Sequence, residues 1–176
     1  MLIKDGDIMN KLYIITGPAG VGKSSVSKEL AFNLAKSVLI EGDDIYHQVV
    51  GSYHSPWHEL NHLDTFWKVS INIIKTYLSE GDDVVFNYIM NNDSYQNIKQ
   101  ELKNIDINLT VLMVNKDTLM KRDNMREEDC QMKERCIELL EEFKMYNFDN
   151  ENILYTDNLS IKETVDKILN KRSQHE

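Results

Sequence analysis

Residues 17–24, GPAGVGKS, are the segment that most constrains how this chain can fold. They fit the pattern GxxxxGK[ST], with the apolar run LYIIT before them and apolar residues at helical spacing after them. Glycines let successive backbone N–H groups turn toward one centre, and a helix N-terminus adds a favourable field for an anion. The segment therefore predicts a phosphate-binding loop between a buried strand and a helix, rather than a turn that merely joins the two.

The residue types in the phosphate-binding loop indicate which part of a nucleoside triphosphate each residue would contact. Lys23 is expected at the β- and γ-phosphates, and the Ser24 hydroxyl is the magnesium ligand of this pattern. Ser25 can add a contact to the α-phosphate. We therefore predict ATP and Mg²⁺ as cofactors. The predicted nucleotide-binding residues of the loop are Gly17, Ala19, Gly20, Val21, Gly22, Lys23, Ser24 and Ser25.

The amino-acid composition and net charge of the chain argue against some classes of binding partner. The chain has 176 residues, of which 41% are hydrophobic, which suits one domain with a buried core. Its formal net charge is -9, without a dense lysine and arginine run, so no nucleic acid and no membrane is expected as a partner. Cys130 and Cys136 show no zinc spacing, and reduced thiols in a cytoplasmic protein are expected.

Apolar runs alternate with helix-like stretches along the chain. Residues 1–10 are expected as a flexible extension, with Met9 an alternative start to Met1, and residues 11–172 as a single domain. Five runs predict buried strands, at 12–16, 38–41, 84–89, 107–114 and 152–156. Strand–helix alternation favours an α/β fold, with a parallel sheet covered by helices on both faces.

Helical patterns fill the intervening stretches. A stripe before Gly81, the expected helix stop, comprises Leu60, Leu63, Trp67, Ile71, Ile74 and Leu78. A second stripe comprises Met132, Cys136, Leu140 and Phe143. Ser160 and Glu163 predict a capping box at the start of the last helix.

An acidic pair follows the second predicted strand. Asp43 stands at the carboxyl end of that strand, where doubly wound sheets bind ligands. A carboxylate there can accept a proton from an acceptor hydroxyl or hold a magnesium-bound water. The alternative is that Asp43 caps a helix beginning near Ile45. Asp44 is the weaker candidate and suits a solvated acid of the first helical turn.

Two arginines stand four residues apart in KRDNMR. On one helical face, Arg122 and Arg126 can neutralise a transferring phosphoryl group and help to exclude water. The alternative is a solvated helix face, paired with Asp123, Glu127 and Glu128. Arg135 is interpreted as a surface residue of the following helix.

Asn115-Lys116-Asp117 has a superficial likeness to the guanine-binding motif of switch GTPases. Asp117 comes one place too early for that motif, and its position suits the cap of the next helix. A GTPase is therefore not expected.

With these segments together, the chain resembles the P-loop small-molecule kinases, which include gluconate kinase, shikimate kinase, chloramphenicol phosphotransferase and the zeta-toxin kinases. The likeness is greatest to bacterial proteins described as gluconate-kinase-like. It covers residues 11–170 and rests on ITGPAGVGKSS, IEGDDIYHQVVGSYHSPW, VVFNYI and KRDNMREEDCQMKERCIELLEEF. It implies a three-layer α/β/α P-loop NTPase, whose five parallel strands run in the order 2-3-1-4-5, with a short helical lid at about 117–135.

The resemblance also implies residue roles. Asp43 would be the carboxylate that activates the acceptor, and Arg122 and Arg126 would be lid arginines, one near adenine and one near the phosphates. Thr156 would line the adenine pocket. Asn87 is a departure, because many relatives carry Asp there and an amide is neither a base nor a charged magnesium partner. Either metal affinity is lower, or Asp43 takes more of that role.

The acceptor is expected beside Asp43, in a segment rich in histidine and aromatic residues. The candidate acceptor-binding residues are Asp43, Tyr46, His47, Trp57 and Asn87. No arginine precedes Arg122, which argues against a nucleoside monophosphate, since its phosphate usually needs bidentate arginines. The same shortage weakens the case for a carboxylate-bearing acceptor such as gluconate. A neutral or cationic hydroxyl compound, such as a sugar, a nucleoside or an antibiotic, suits the segment better.

The function predicted from the sequence is an ATP-dependent phosphotransferase acting on a hydroxyl of a small molecule, as a monomer or weak homodimer. Its catalytic residues would be Lys23, Asp43, Arg122 and Arg126, with Ser24 on the metal. The alternative is a nucleotide-binding regulatory or zeta-toxin-like module, which Asn87 keeps open.

Overall fold

A five-stranded parallel sheet organises the protein. The structure, a computed structural model, describes residues 10–128 and 131–171. Its strands are β1 (Lys11–Thr16), β2 (Ser37–Glu41), β3 (Asp83–Asn87), β4 (Asp106–Met113) and β5 (Ile153–Tyr155). They run in the order β2-β3-β1-β4-β5, and each neighbouring pair is parallel. The predicted strand order is confirmed, while Met9 and Cys130 lie outside the described residues.

Helices cover both faces of the sheet. They are α1 (Lys23–Phe32), α2 (Gly42–Tyr46), α3 (Leu63–Ser79), α4 (Asn92–Glu101), α5 (Lys116–Asn124), α6 (Glu134–Met145) and α7 (Ile161–Asn170). A 3-10 turn, Asn150–Asn152, leads into β5. No helix in the described ranges is both long enough and apolar enough to cross a bilayer.

The central strands are buried on both faces, which explains why they appear in the sequence as unbroken apolar runs. Leu12, Ile14, Val84 and Phe86 are all fully buried. The third run continues past the strand, because β3 ends at Asn87 whereas the prediction extended to residue 89. Residues 88–90 leave the sheet and are nevertheless partly or fully buried, so their apolar character reflects packing rather than strand pairing.

Several helix boundaries differ from those predicted. Helix α3 begins at Leu63, and Leu60 lies outside it with an exposed side chain. Met132 likewise precedes α6. Asp117 does not cap α5, because the Asn115 side chain accepts a 2.8 Å hydrogen bond from the Thr118 N–H instead.

The predicted capping box is present at the start of α7. Ser160 Oγ accepts a hydrogen bond of 3.2 Å from the Glu163 N–H, and Glu163 Oε2 accepts one of 2.8 Å from the Ser160 N–H. These contacts satisfy two N–H groups that a helix N-terminus otherwise leaves unpaired. Helix α7 packs against α1, which carries the phosphate-binding loop at its start.

We predict that Ser160→Ala lowers the free energy of unfolding by about 1 kcal/mol, since the cap hydroxyl is lost. Ser160→Thr retains a hydroxyl and serves as the matched control, with a change of a few tenths of a kcal/mol. Urea unfolding followed by circular dichroism measures both. Equal losses in the two variants would contradict the assignment.

Candidate functional site

A cavity of about 850 Å³ lies where β1, β2 and β3 end. Residues that follow these three strands line it, together with residues of α5, α6 and the turn after β5. The carboxyl ends of parallel strands are the usual ligand crevice of such sheets. Of the predicted site residues, only Gly17 does not line the cavity.

The phosphate-binding loop takes its shape from its glycines. Gly17, Gly20 and Gly22 have φ values of 145°, 81° and 107°. A Cβ built on Gly17 would lie 2.4 Å from the Leu112 carbonyl oxygen of β4, so any side chain there would strike the backbone. Gly17 therefore packs the loop closely against β4, and residues 19–26 line the cavity.

Lys23 begins α1 and folds back over its own loop. Its Nζ donates to the carbonyl oxygens of Gly17, at 3.1 Å, and Pro18, at 3.0 Å. Burial lowers the pKa of Lys23 to about 8, and the charge of Arg126 also lowers it, against opposing effects of Asp43 and Glu41. An incoming polyphosphate would offer this ammonium group stronger partners than the two carbonyls.

Ser24 has a carboxylate partner that the sequence analysis missed. Its Oγ donates to Glu41 Oε2 at 3.0 Å, from the last residue of β2. In the sheet register Glu41 lies beside Asn87 of β3. The sequence did contain a sign of this contact: Glu41 ends the second predicted strand, two residues before Asp43 in the same EGDD segment.

Asp43 does not act as a helix cap. Helix α2 begins at Gly42, which places Asp43 inside its first turn, and its N-cap residue, Glu41, makes no side-chain cap bond. The alternative of a cap for a helix beginning near Ile45 is therefore wrong. The exposed Asp43 lines the cavity, whereas the exposed Asp44 does not.

Asn87 presents a buried amide to the cavity. The residue is 3% exposed, and its Nδ2 has no hydrogen-bond partner among the described residues. Buried polar atoms are nearly always paired in folded proteins, so this amide has hydrogen-bonding capacity left for a ligand.

Aromatic rings line the end of the cavity beside Asp43. Tyr53, Trp67 and Tyr88 join the predicted His47 and Trp57 there. Trp57 is 69% exposed, so much of its surface is available to a ligand. Burial raises the pKa of Tyr88, and the Asp43 charge adds to the effect, so the phenol is a neutral group at ordinary pH.

Tyr46 lines the same cavity, but its hydroxyl is already used. It donates to the His54 carbonyl oxygen at 2.8 Å and accepts from the His62 N–H at 3.4 Å. Both partners belong to the segment between α2 and α3. Tyr46 therefore holds this segment against the site, while its ring contributes to the wall.

Arg122 connects the phosphate-binding loop to the turn after β5. Its guanidinium donates to the Val21 carbonyl oxygen at 2.7 Å and to the Thr156 carbonyl oxygen at 2.9 Å. The Thr156 hydroxyl accepts a further bond at 3.2 Å. Arg122 and Thr156, both predicted to bind the nucleotide, thus lie together, and hydrogen bonds within the protein fix the arginine.

Arg126 is not on the helix that carries Arg122. Helix α5 ends at Asn124, so the expectation of one shared helical face is wrong. The chain turns back after Met125, and the Asp123 carboxylate accepts hydrogen bonds from the N–H groups of Met132 and Lys133 in the returning segment. Arg126 nevertheless lines the cavity from this turn.

Arg135 lines the cavity as well, so its interpretation as a surface residue is incomplete. Its guanidinium bonds the carboxylates of Glu138, at 3.0 Å, and Glu142, at 2.8 Å. The hydrogen bond with Glu138, followed by that with Glu142, raises the pKa of Arg135 despite partial burial. Its charge is thus largely balanced within α6.

We predict that Gly42→Ala lowers the free energy of unfolding by about 1–3 kcal/mol through overpacking. A Cβ on Gly42 would lie 2.6–2.9 Å from Cδ2, Cβ and Cγ of Tyr88, so Tyr88 or the start of α2 must shift. Gly51→Ala is the matched control, because nothing lies within 4 Å of its Cβ position. Urea unfolding compares them, and equal midpoints would contradict the packing described.

Solved structures provide the comparison with known proteins. A sugar kinase from Janibacter sp. HTCC2649 matches with a TM-score of 0.71 and 11% identity, over 93% of this chain and 95% of that one. A gluconokinase from Sinorhizobium meliloti 1021 matches with a TM-score of 0.68 and 14% identity, over 94% and 93%. An APS kinase from Mycobacterium tuberculosis, in complex with AMPPNP and APS, matches with a TM-score of 0.65 and 13% identity, over 94% and 98%.

No protein-family model matches the chain, and no curated protein matches it either. The likeness is therefore one of fold, and it extends over nearly the whole chain and nearly the whole of each kinase. This protein has the P-loop kinase fold, with a five-stranded parallel sheet in the order 2-3-1-4-5 and helices on both sides.

Proposed function

We propose that the protein is an ATP- and magnesium-dependent phosphotransferase that moves the γ-phosphoryl group to a hydroxyl of a small molecule. One observation carries the proposal: Lys23 and Ser24 of the phosphate-binding loop line the same cavity as Asp43. A phosphate-binding loop and an exposed carboxylate thus face one space. Kinases of the same fold, one of them in complex with AMPPNP, support the use of a nucleotide.

The oxygen donors around Ser24 suit Mg²⁺. The Ser24 hydroxyl and the Glu41 carboxylate are 3.0 Å apart, and Mg²⁺ prefers a few such protein oxygens together with substrate phosphates. Ser24 would hold the ion, and Glu41 would hold Ser24 or a water of the ion. When bound, the metal would offset the negative charge of the phosphates.

The remaining side chains have separate tasks in the transfer. Asp43 accepts the proton of the acceptor hydroxyl, whose oxygen bonds to the γ-phosphorus as the bond to the β–γ bridging oxygen breaks and ADP leaves. Lys23 leaves its two carbonyl partners for the phosphates. Arg126 adds positive charge from the turn after α5, while Arg122 and Thr156 form the wall toward the base. Positioning and electrostatics supply most of the rate enhancement.

The charges of the cavity support a neutral or cationic acceptor. The lysine and arginine side chains that line the described cavity are Lys23, Arg122, Arg126 and Arg135, which come from the phosphate-binding loop, α5, the turn after it and α6. The wall beside Asp43 is instead formed by aromatic rings, His47 and the Asn87 amide. A sugar, a nucleoside or an antibiotic with a free hydroxyl fits this wall. A sugar acid such as gluconate is less favoured, since its carboxylate would depend on His47 or backbone N–H groups.

The second candidate function is a nucleotide-binding regulatory or zeta-toxin-like module. Asn87 favours it, because an amide at the end of β3 cannot act as a base. Calorimetry with Mg²⁺ and ATP, followed by a screen of sugars, sugar acids, nucleosides and antibiotics for ADP release, separates the two candidates. Binding without acceptor-stimulated ADP release in any of these classes would favour the module.

We expect Asp43→Asn to lower acceptor-stimulated turnover by about 100-fold or more, since general-base catalysis is lost. ATP affinity should stay within about twofold, because the carboxylate lies outside the phosphate-binding loop. A coupled ADP-release assay, with the acceptor found in the screen, measures turnover, and calorimetry measures affinity. Asp44→Asn, on the same turn but off the cavity, is the control and should retain activity. Near-normal turnover by Asp43→Asn would refute the base assignment.

The pKa of about 8 for Lys23 predicts a pH dependence of nucleotide binding. Only the protonated ammonium attracts the phosphates, and bound phosphates raise its pKa. Affinity for Mg²⁺-AMPPNP should therefore be constant below about pH 8 and fall as the pH rises above it, by at most about tenfold per pH unit. Calorimetry between pH 7 and pH 9.5 measures it. Lys23→Met should bind weakly with no such slope, and an unchanged slope in that variant would contradict the assignment.

A further inference from the structure

Asp123 is a buried acid that the proposed reaction leaves without a role. It lies in the last turn of α5, and its side chain is 0% exposed. The C-terminal end of a helix disfavours a negative charge, and burial of an unpaired carboxylate is costly. An acid at this position therefore needs strong local partners.

Asp123 finds these partners in the chain that returns after α5. The Lys133 N–H donates to Oδ2 at 2.8 Å, and the Met132 N–H donates to Oδ2 at 3.0 Å and to Oδ1 at 3.1 Å. Arg126 Nη1 donates to Oδ1 at 3.3 Å. Burial alone would raise the pKa of Asp123, but these bonds outweigh it and lower the pKa below its ordinary value. The carboxylate is therefore ionised and fully engaged.

Asp123 also lies against the phosphate-binding loop. A Cβ built on Gly20 would be 3.6 Å from Asp123 Cβ and 3.7 Å from its Oδ1. The space between Gly20 and Asp123 would therefore just admit a methyl group, which places the acid close beside the loop. One carboxylate thus lies beside the loop and bonds both the returning chain and Arg126.

Arg126 depends on Asp123 for its position. It lies beyond the end of α5, so helical geometry does not orient it, and its N–H donates to the Asp123 carbonyl oxygen at 3.1 Å. Its side chain is 39% exposed, and its charge contributes to lowering the pKa of Lys23. Arg126 and Lys23 line the same cavity, so the guanidinium faces the space that the phosphates would occupy.

We propose that Asp123 is a positioning residue, which holds the Arg126 guanidinium beside the phosphate-binding loop where the terminal phosphates of a nucleotide would bind. The inference rests on the proposed function, and it deepens that function by naming how one of its cations is placed. A long flexible arginine loses much side-chain freedom when it binds a ligand, and a partner that fixes it beforehand reduces that loss. Asp123 supplies such a partner from a buried position.

A double-mutant cycle separates this role from a purely structural one. Calorimetry measures the affinity for Mg²⁺-AMPPNP of four proteins: the wild type, Asp123→Asn, Arg126→Met and the double variant. Each single variant should bind about tenfold more weakly, as expected for loss of one charge-assisted contact. The double variant should also bind about tenfold more weakly rather than about a hundredfold, because both changes remove the same interaction.

Two controls define the outcome. Lys144→Met removes a surface cation, paired with Glu141 at 2.7 Å on α6, and should leave affinity unchanged. If Asp123→Asn does not fold, Asp123→Glu replaces it in the cycle, since it retains the charge and displaces the carboxylate by one methylene group. A lower Tm with additive effects of Asp123 and Arg126 on affinity would overturn the inference and leave the proposed function intact. Absence of AMPPNP binding by the wild-type protein would overturn both.

Discussion

The parallel pairing of β1 between β3 and β4 is the constraint on which the candidate site depends. It places the phosphate-binding loop at the centre of the sheet, above strands whose side chains are buried on both faces. The register then sets Ile15, Asn87 and Glu41 at one level across three strands. Because successive strand residues face opposite sides of a sheet, a shift of one residue would remove this alignment. The register of the strands thus determines which side chains lie together at the strand ends.

The features predicted correctly from the sequence are those encoded within a few residues. The loop pattern, the buried strands and the Ser160 cap each depend on neighbours along the chain, where glycine freedom, apolar content and capping chemistry act directly. The strand order came from the family resemblance, since spacing alone does not give it. The contact of Ser24 with Glu41 was missed because 17 residues separate the partners and only the folded sheet brings them together. The bonds of Asp123 to Met132 and Lys133 were missed as well, because Asp123 entered the sequence analysis only in the alternative of a solvated helix face.

Arg126 shows why spacing alone could not place the two arginines of KRDNMR. A separation of four residues puts two side chains on one face only while the helix continues. Here the helix ends after Asn124, and the bonds from Met132 and Lys133 to Asp123 accompany that ending. These bonds join residues 9 and 10 positions apart, and a pattern of residues spaced by four does not reveal them. Arg126 nevertheless lines the cavity, from the turn after α5 rather than from the helix itself.

The bridge formed by Arg122 has a consequence for ligand size. Its guanidinium joins the Val21 carbonyl of the loop to Thr156 beyond β5, on the other half of the sheet. A displacement of the loop would therefore carry the turn at Thr156 with it. Under the proposed function, these bonds set the distance between the loop that would hold the phosphate tail and the turn that would line the base pocket. A nucleotide whose base and terminal phosphate match that distance is then expected to bind better than a compound that matches one end alone.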